Sequence, residues 1–231
     1  VFWPEAPFVA VSFLWVFAIL GIVGMIVASV QAVFQDDARR LLAFSSVAQV
    51  GYMMLGLGIG TAAGVSAGML HLVNHAMMKG ALFMALGAFA IRFGIRRISD
   101  LNGFAQSMPF TSIAFTIAGL SLVGVPMTVG FWSKWYLGVA ALENGWWWAV
   151  AALILSSLIA LAYVARMLAA IWVAEPHHDK AGAIAHARAP WLMLGPLWVL
   201  AIANIWFFFQ PDFLVSLTNA AAEAALSGAT R

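Results

Sequence analysis

The chain has 231 residues, of which 64% are hydrophobic and 9% charged, with eleven Lys or Arg against nine Asp or Glu. A soluble domain carries about 25% charged residues, so this composition, with a mean hydropathy of +0.97, points away from a soluble fold and to a helical integral membrane protein. A net charge of +2 is too small an excess to suggest nucleic acid, and the lack of cysteine rules out disulfides, thiolate metal sites and cysteine-held iron–sulfur clusters in this chain.

The opening, VFWPEAP, has neither a start methionine nor a basic n-region, so residues 1–8 read as a segment outside the membrane within a longer polypeptide. Six apolar segments of bilayer length follow, near 9–34, 41–60, 62–92, 107–141, 146–174 and 190–210. The alternating strands of a membrane barrel are missing. The fourth segment would make ~52 Å of straight helix, too long for one crossing of a ~30 Å core and too short for two with a turn. It contains Gly124-Val125-Pro126 and then Gly130. Proline removes a backbone donor and glycine loosens the ladder, which predicts one crossing interrupted near mid-membrane. Residues 175–189 read as a polar inside loop. Residues 211–231 read as an outside tail, either a short interfacial helix or disordered. Trp146, Trp147 and Trp148 open the fifth span as an aromatic belt would.

Six single crossings put Arg39, Arg40, Arg92, Arg96, Arg97, Lys180 and Arg188 on one side and no loop base between the first and last spans on the other. The positive-inside rule then places both ends of the segment on the outer side. Reading the fourth segment as two crossings would move Lys180 and Arg188 to the wrong side.

Lys79, Lys134 and Arg166 remain within spans, while all nine acids fall at span ends or in loops, so the three bases lack a buried carboxylate from this chain. Basic groups at membrane depth are costly and mark function by default. His71, His75 and Lys79, at i, i+4 and i+8, share one helix face, which predicts a proton relay. Desolvation disfavours the charged form of an amine, so a buried lysine can exchange protons near neutral pH. The bland readings are snorkelling for the lysines and interhelical hydrogen bonding for the histidines. His71-x-x-x-His75 has a zinc-like spacing, but no Glu follows the first His and no third ligand is evident, so no metal is expected. Lys134 follows the break, where half-helix ends build ion sites in transporters. Arg166 suits a structural or field-setting role, since arginine holds its proton. Asp37 pairs with Arg39 or Arg40, or caps the next helix. Gly56-x-Gly58-x-Gly60 lacks the strand context of a nucleotide fingerprint, and no cofactor is expected.

The segments DDARRLLAFSSVAQVGYMMLGLG (36–58), HLVNHAMMKGALFMALGA (71–88), DLNGFAQSMPFTSIAF (100–115) and GVPMTVGFWSKWYL (124–137) stand in an order that resembles one family. The chain is similar to the antiporter-like, proton-conducting membrane subunits of respiratory complex I, Mrp-type cation/proton antiporters and membrane-bound hydrogenases. The resemblance covers residues 9–174 well and the last span more loosely. It implies an all-α fold of about six transmembrane helices, the second half of a fourteen-helix inverted-repeat protein. Residues 9–174 would be the second five-helix repeat, with its broken helix at 107–141, and 190–210 the final helix. It implies that Lys79 is the central lysine, that His71 and His75 are its neighbours, and that Lys134 is the terminal lysine of the broken helix. Arg39 stands where the family usually has lysine, a departure that keeps charge but makes proton exchange there harder. Trp135 replaces the acid of the complex I L-type subunit and argues against that branch.

The resemblance further implies a bacterial inner (plasma) membrane location, other membrane subunits as partners, and protons with Na+ as cargo. By overall impression the sequence leans to the D-type subunit of an Mrp-type antiporter, with complex I N/M-type or hydrogenase subunits as the alternative. A reading of another class is a structural subunit whose buried bases dock a neighbour's carboxylates. Any enzyme label would belong to the assembled complex.

Overall fold

A computed structural model describes residues 7–175 and 191–228, with side chains from residue 13 onward. Most of the expected loop 175–189, with Lys180 and Arg188, lies outside the described residues, as do residues 229–231. The described chain is helical: α1 (Pro7–Val33), α2 (Ala38–Ile59), α3 (Ala62–Phe93), α4 (Pro109–Val123), α5 (Val129–Glu143), α6 (Trp147–Trp172), α7 (Trp191–Phe209) and α8 (Asp212–Gly228). A 3-10 turn, Ile98–Leu101, and one helical turn, Phe104–Ser107, connect α3 to α4. Helices α1, α2, α3, α6 and α7 are long and apolar enough to cross a bilayer. Leu20, Val23, Val27, Ile154 and Leu158 stand exposed on this surface, as an apolar solvent allows.

Close backbone approach sets the α1–α2 pair. A Cβ on Gly51 would lie 2.5 Å from the Gly21 carbonyl oxygen, so the helices touch where neither carries a side chain. Small residues at such seams replace the hydrophobic drive that lipid cannot supply. Gly56 of α2 meets Gly64 and Gly68 of α3 in the same way.

At the arginine-bearing end, the α1–α2 turn bonds to the segment after α3. Ala38 N donates to Arg96 O at 2.9 Å and Ile98 N to Asp36 O at 2.9 Å. Asp37 resolves its alternatives by capping α2, accepting from Arg39 N at 2.8 Å and Arg40 N at 3.0 Å. At the opposite end Trp15 stacks on Trp146 with ring centres 4.8 Å apart, and Trp146 stacks on Trp148 at 5.1 Å.

The fourth segment traverses the bundle once. Gly103, just before α4, donates its N–H to Ala170 O near the C-terminus of α6. Asn144, just past α5, donates to Ile59 O at the far end of α2. The tail, left open between helix and disorder, is the helix α8. It lies on α3, where Ser66 donates to Thr218 Oγ1 at 3.2 Å and also bonds Asn219 Oδ1, while Leu214 and Ala222 are buried.

Candidate functional site

The broken helix positions Lys134. A helix leaves its last four carbonyls without intrahelical donors. At the end of α4, Gly124 N takes the carbonyls of Leu120 and Ser121, and Val125 N also reaches Leu120. In a continuous helix the Leu122 carbonyl would accept from residue 126, but Pro126 has no N–H. Lys134 Nζ supplies the missing donor, bonding Leu122 O at 3.0 Å and Val123 O at 2.8 Å. Its third bond goes to Ser157 Oγ of α6 at 3.0 Å.

Two glycines make this possible. Gly124 is left-handed at φ 89°, and a Cβ on it would press within 2.8 Å of the Lys134 chain. A Cβ on Gly130 would fall 1.9 Å from Ser121 O, so the two half-helices overlap directly. Gly130 N, one of the orphan donors at the start of α5, bonds Ser121 Oγ at 3.2 Å. The break leaves no orphan among these groups.

Lys79 is 5% exposed and does not snorkel. Its Nζ bonds Leu42 O at 2.8 Å and Ser45 Oγ, both on α2, and lies 5.9 Å from the centre of the Phe83 ring. Among the described residues neither lysine touches a carboxylate; carbonyls, hydroxyls and ring faces surround both.

His71 is fully buried between three helices. Its Nδ1 pairs with Ser133 Oγ of α5 at 2.9 Å and its Nε2 with Gln49 Oε1 of α2 at 3.0 Å. Because the glutamine oxygen only accepts, Nε2 carries a proton in this arrangement, and Ser133 Oγ stands between His71 Nδ1 and the Gly130 carbonyl at 3.2 Å. Tyr52 stacks on His71 at 5.0 Å, its hydroxyl lies 3.3 Å from Ser157 Oγ, and its ring face lies 4.8 Å from Lys134 Nζ. Lys134, Ser157, Tyr52, His71, Gln49 and Ser133 therefore form one cluster across α2, α3, α5 and α6.

The expected ladder of His71, His75 and Lys79 is a row of Cα positions rather than a chain of hydrogen bonds. His71 bonds sideways to α2 and α5 and Lys79 to α2 alone, and His75 Nε2 is buried without a partner. Gln49 Nε2, Asn74 Oδ1 and the Tyr163 hydroxyl are likewise buried and unpaired. Buried polar atoms in this state are the places where internal water binds.

Ser45, Gln49 and Tyr52 carry no charge and do not announce themselves in the sequence. They stand at i, i+4 and i+7 on α2, and this polar stripe in an apolar helix is the signal that could have found them. Arg166, like the two lysines, has no buried carboxylate beside it among the described residues, but it reaches an exposed one just past the end of α1. Its guanidinium bonds Val33 O at 2.8 Å and Gln35 O at 2.9 Å and pairs with Asp36, because the turn after α1 folds beneath α6. Arg39 is exposed at the start of α2. Among the described residues no group of three or more His, Cys, Asp or Glu is placed to hold a metal ion.

Residues 3–160 match the family model described as NADH:quinone oxidoreductase/Mrp antiporter, TM. The chain belongs to this family. NADH-quinone oxidoreductase subunit N of Desulforudis audaxviator is 46% identical over 145 residues, 63% of this chain and 29% of that protein. Subunit N 2 of Syntrophobacter fumaroxidans is 31% identical over 91% of this chain and 44% of its own length. The Mrp complex from Dietzia sp. DQ12-45-1b contains a chain with a TM-score of 0.85 and 26% identity, over 92% of this chain and 47% of that one. A chain of the membrane-bound sulfane sulfur reductase, an archaeal respiratory membrane complex, gives a TM-score of 0.83 at 31% identity, over 92% and 42%. The chain thus spans less than half the length of these NADH:quinone oxidoreductase/Mrp-type relatives. The expected all-α membrane fold, with one helix interrupted, is the fold of this family.

Proposed function

We propose that this chain is part of a proton-translocating subunit of a multisubunit membrane complex, with Lys79, His75, His71 and Lys134 as its proton-handling groups. The observation that carries this reading is a pair of lysines inside the bundle, Lys79 buried and Lys134 half-buried, held only by neutral acceptors. An ammonium so placed has its bonds but no counter-charge, so a small change in the nearby field favours release of its proton. Each lysine lies beside a hydroxyl, Ser45 or Ser157, and buried unpaired atoms near His75 and Gln49 offer seats for water. Protons pass from Lys79 through water beside His75 to His71, and through the Tyr52–Ser157 pair to Lys134. Arg39, Asp37 and Arg166 act electrostatically and structurally at the arginine-bearing end, which faces inward in this scheme. Other membrane subunits drive the shift.

Within the family, the names of the curated relatives support a subunit-N-type place in an NADH:quinone oxidoreductase. The likeness to the Mrp complex supports the second reading, a D-type subunit of a cation/proton antiporter with Na+ as counter-ion. The deciding experiment is Lys79→Ala in the full-length protein, in assembled complexes in vesicles. Loss of proton movement with normal assembly is expected. Unchanged proton movement would count against the reading, and failure of Lys79→Ala to assemble while Lys79→Arg both assembles and transports would favour a purely structural subunit. Dependence of proton movement on Na+ with no quinone or NADH distinguishes antiport from redox-driven pumping.

A further inference from the structure

We infer that protons reach the end of the protein opposite the arginines through a chamber beneath α8, closed by a plug of Leu70, Val129 and Leu214, and not through the groove at the helix break. The inference rests on the proton-translocating reading above and adds to it a route and a gate.

Two openings lie on the helices that carry the polar cluster. The larger, about 520 Å³, lies at the break and reaches Lys134. Its walls are Val125, Phe131, Trp135, Leu153, Ile154 and Leu158, with Trp135, Ile154 and Leu158 facing outward. Surfaces of that kind are filled by lipid chains and do not hold a water column. Lys134 Nζ spends its bonds on Leu122 O, Val123 O and Ser157 Oγ, and Val123 and Ser157 themselves belong to the groove wall, so these are fixed protein partners and not a water column.

The smaller opening, about 280 Å³, lies between α3, α5 and α8. Ser66, Tyr136, Thr218 and Asn219 line it, and Glu143 sits exposed at the end of α5 on its rim. Hydroxyls and an amide can hold a short chain of water, and a rim carboxylate raises the local proton concentration. The two bonds from Ser66 to α8 hold the roof in place.

The chamber ends on Leu70, which lines it and packs with buried Val129 and Leu214. His71 is the next residue in α3, and Asn74 follows one turn after Leu70. Asn74 Nδ2 bonds the Val129 carbonyl at 2.9 Å, while its Oδ1 is fully buried with no partner. Leu70 thus closes on the polar chamber while Val129, which packs on it, is bonded by a side chain that carries an unpaired polar atom. Apolar constrictions of this type gate by dewetting. Since Leu214 belongs to α8, an outward movement of α8 that gives up the Ser66 bonds thins the plug.

This chain has no cysteine, so the route can be read by single cysteines in an otherwise cysteine-free full-length protein. A charged, membrane-impermeant thiol reagent is applied from the side opposite the arginines. Ser66→Cys should react readily and Asn74→Cys should be protected. Adding Leu214→Ala to Asn74→Cys should speed its labelling by about tenfold or more. An unreactive Ser66→Cys, or equal labelling of Asn74→Cys with the plug intact and opened, would overturn the route. Leu70→Val serves as the plug variant if Leu214→Ala lowers expression. Labelling does not depend on proton transport, so the expected pattern in a protein that moves no protons would retain the chamber and its plug and reject the proton route with the reading beneath it. Intact transport without the pattern would reject only the route.

Discussion

The Lys134 ammonium nitrogen lies 4.8 Å from the centre of the Tyr52 ring, an aromatic that also stacks on His71 and sets its hydroxyl beside Ser157. A cation over an aromatic face gains roughly 0.5–2 kcal/mol, more where water is excluded. Tyr52 thereby joins the lysine of the broken helix to the histidine of α3 through one rigid side chain. Tyr52→Leu removes the ring and the hydroxyl and so both links, leaving a smaller apolar side chain at a buried position. The expected result is normal assembly with slowed proton movement, read by a pH-sensitive dye in vesicles; an unchanged rate would remove Tyr52 from the path.

Lys134 has two separable duties, capping α4 and exchanging a proton. Lys134→Met leaves the Leu122 and Val123 carbonyls unpaired, at a cost of roughly 1–3 kcal/mol for each buried group. A lower thermal midpoint in detergent is expected. Lys134→Arg retains donors at the break but rarely surrenders a proton. It should recover much of the stability and little of the transport, and equal loss of both in the two variants would show that the duties are not separable.

Gly130→Ala tests the overlap of the half-helices. The new methyl would collide with the Ser121 carbonyl oxygen, a backbone atom that cannot rotate away. Overpacking of this kind costs about 1–3 kcal/mol. A clear fall in thermal stability is expected, whereas Gly138→Ala, with open space around it, should be silent.

Arg166 and Asp36 should respond unequally. Asp36 is 83% exposed and Arg166 38% exposed, so their pairing is screened and its loss in Asp36→Asn should be worth no more than about 1 kcal/mol. Arg166→Met removes the donors to Val33 and Gln35 as well and should destabilise the α1–α2 turn more. Protease sensitivity at that turn reads the difference, and a larger effect from Asp36→Asn would contradict it.

Much of this arrangement was legible because membrane helices are written in hydropathy. The break could be read from Gly124 and Pro126, since both alter backbone chemistry whatever surrounds them. Lys79 and Lys134 stood out because charge in an apolar run is rare. Ser45, Gln49 and Tyr52 did not, being uncharged and ordinary in any helix; only the approach of Lys79 and His71 gives them a role. Periodicity aligns Cα atoms along α3 but carries no information on which neighbouring helix a side chain will choose. That is why the histidine–lysine row looked like a ladder. The Arg166–Asp36 pair, remote in sequence, depends on where the α1–α2 turn lands. The tail stayed ambiguous because the pattern of α8 is completed by Ser66 on another helix.

The proline at 126 has a consequence for ancestry. Its ring nitrogen deprives one carbonyl of a mate, and an amine from the following half-helix fills that vacancy. Were the coil to become continuous, with an ordinary residue in place of the imino acid, the lysine would lose the carbonyls it caps and keep only the Ser157 hydroxyl and the Tyr52 face. Straightening the rod and losing the amine must therefore happen together, so the two positions should be gained and discarded as a unit across descendants.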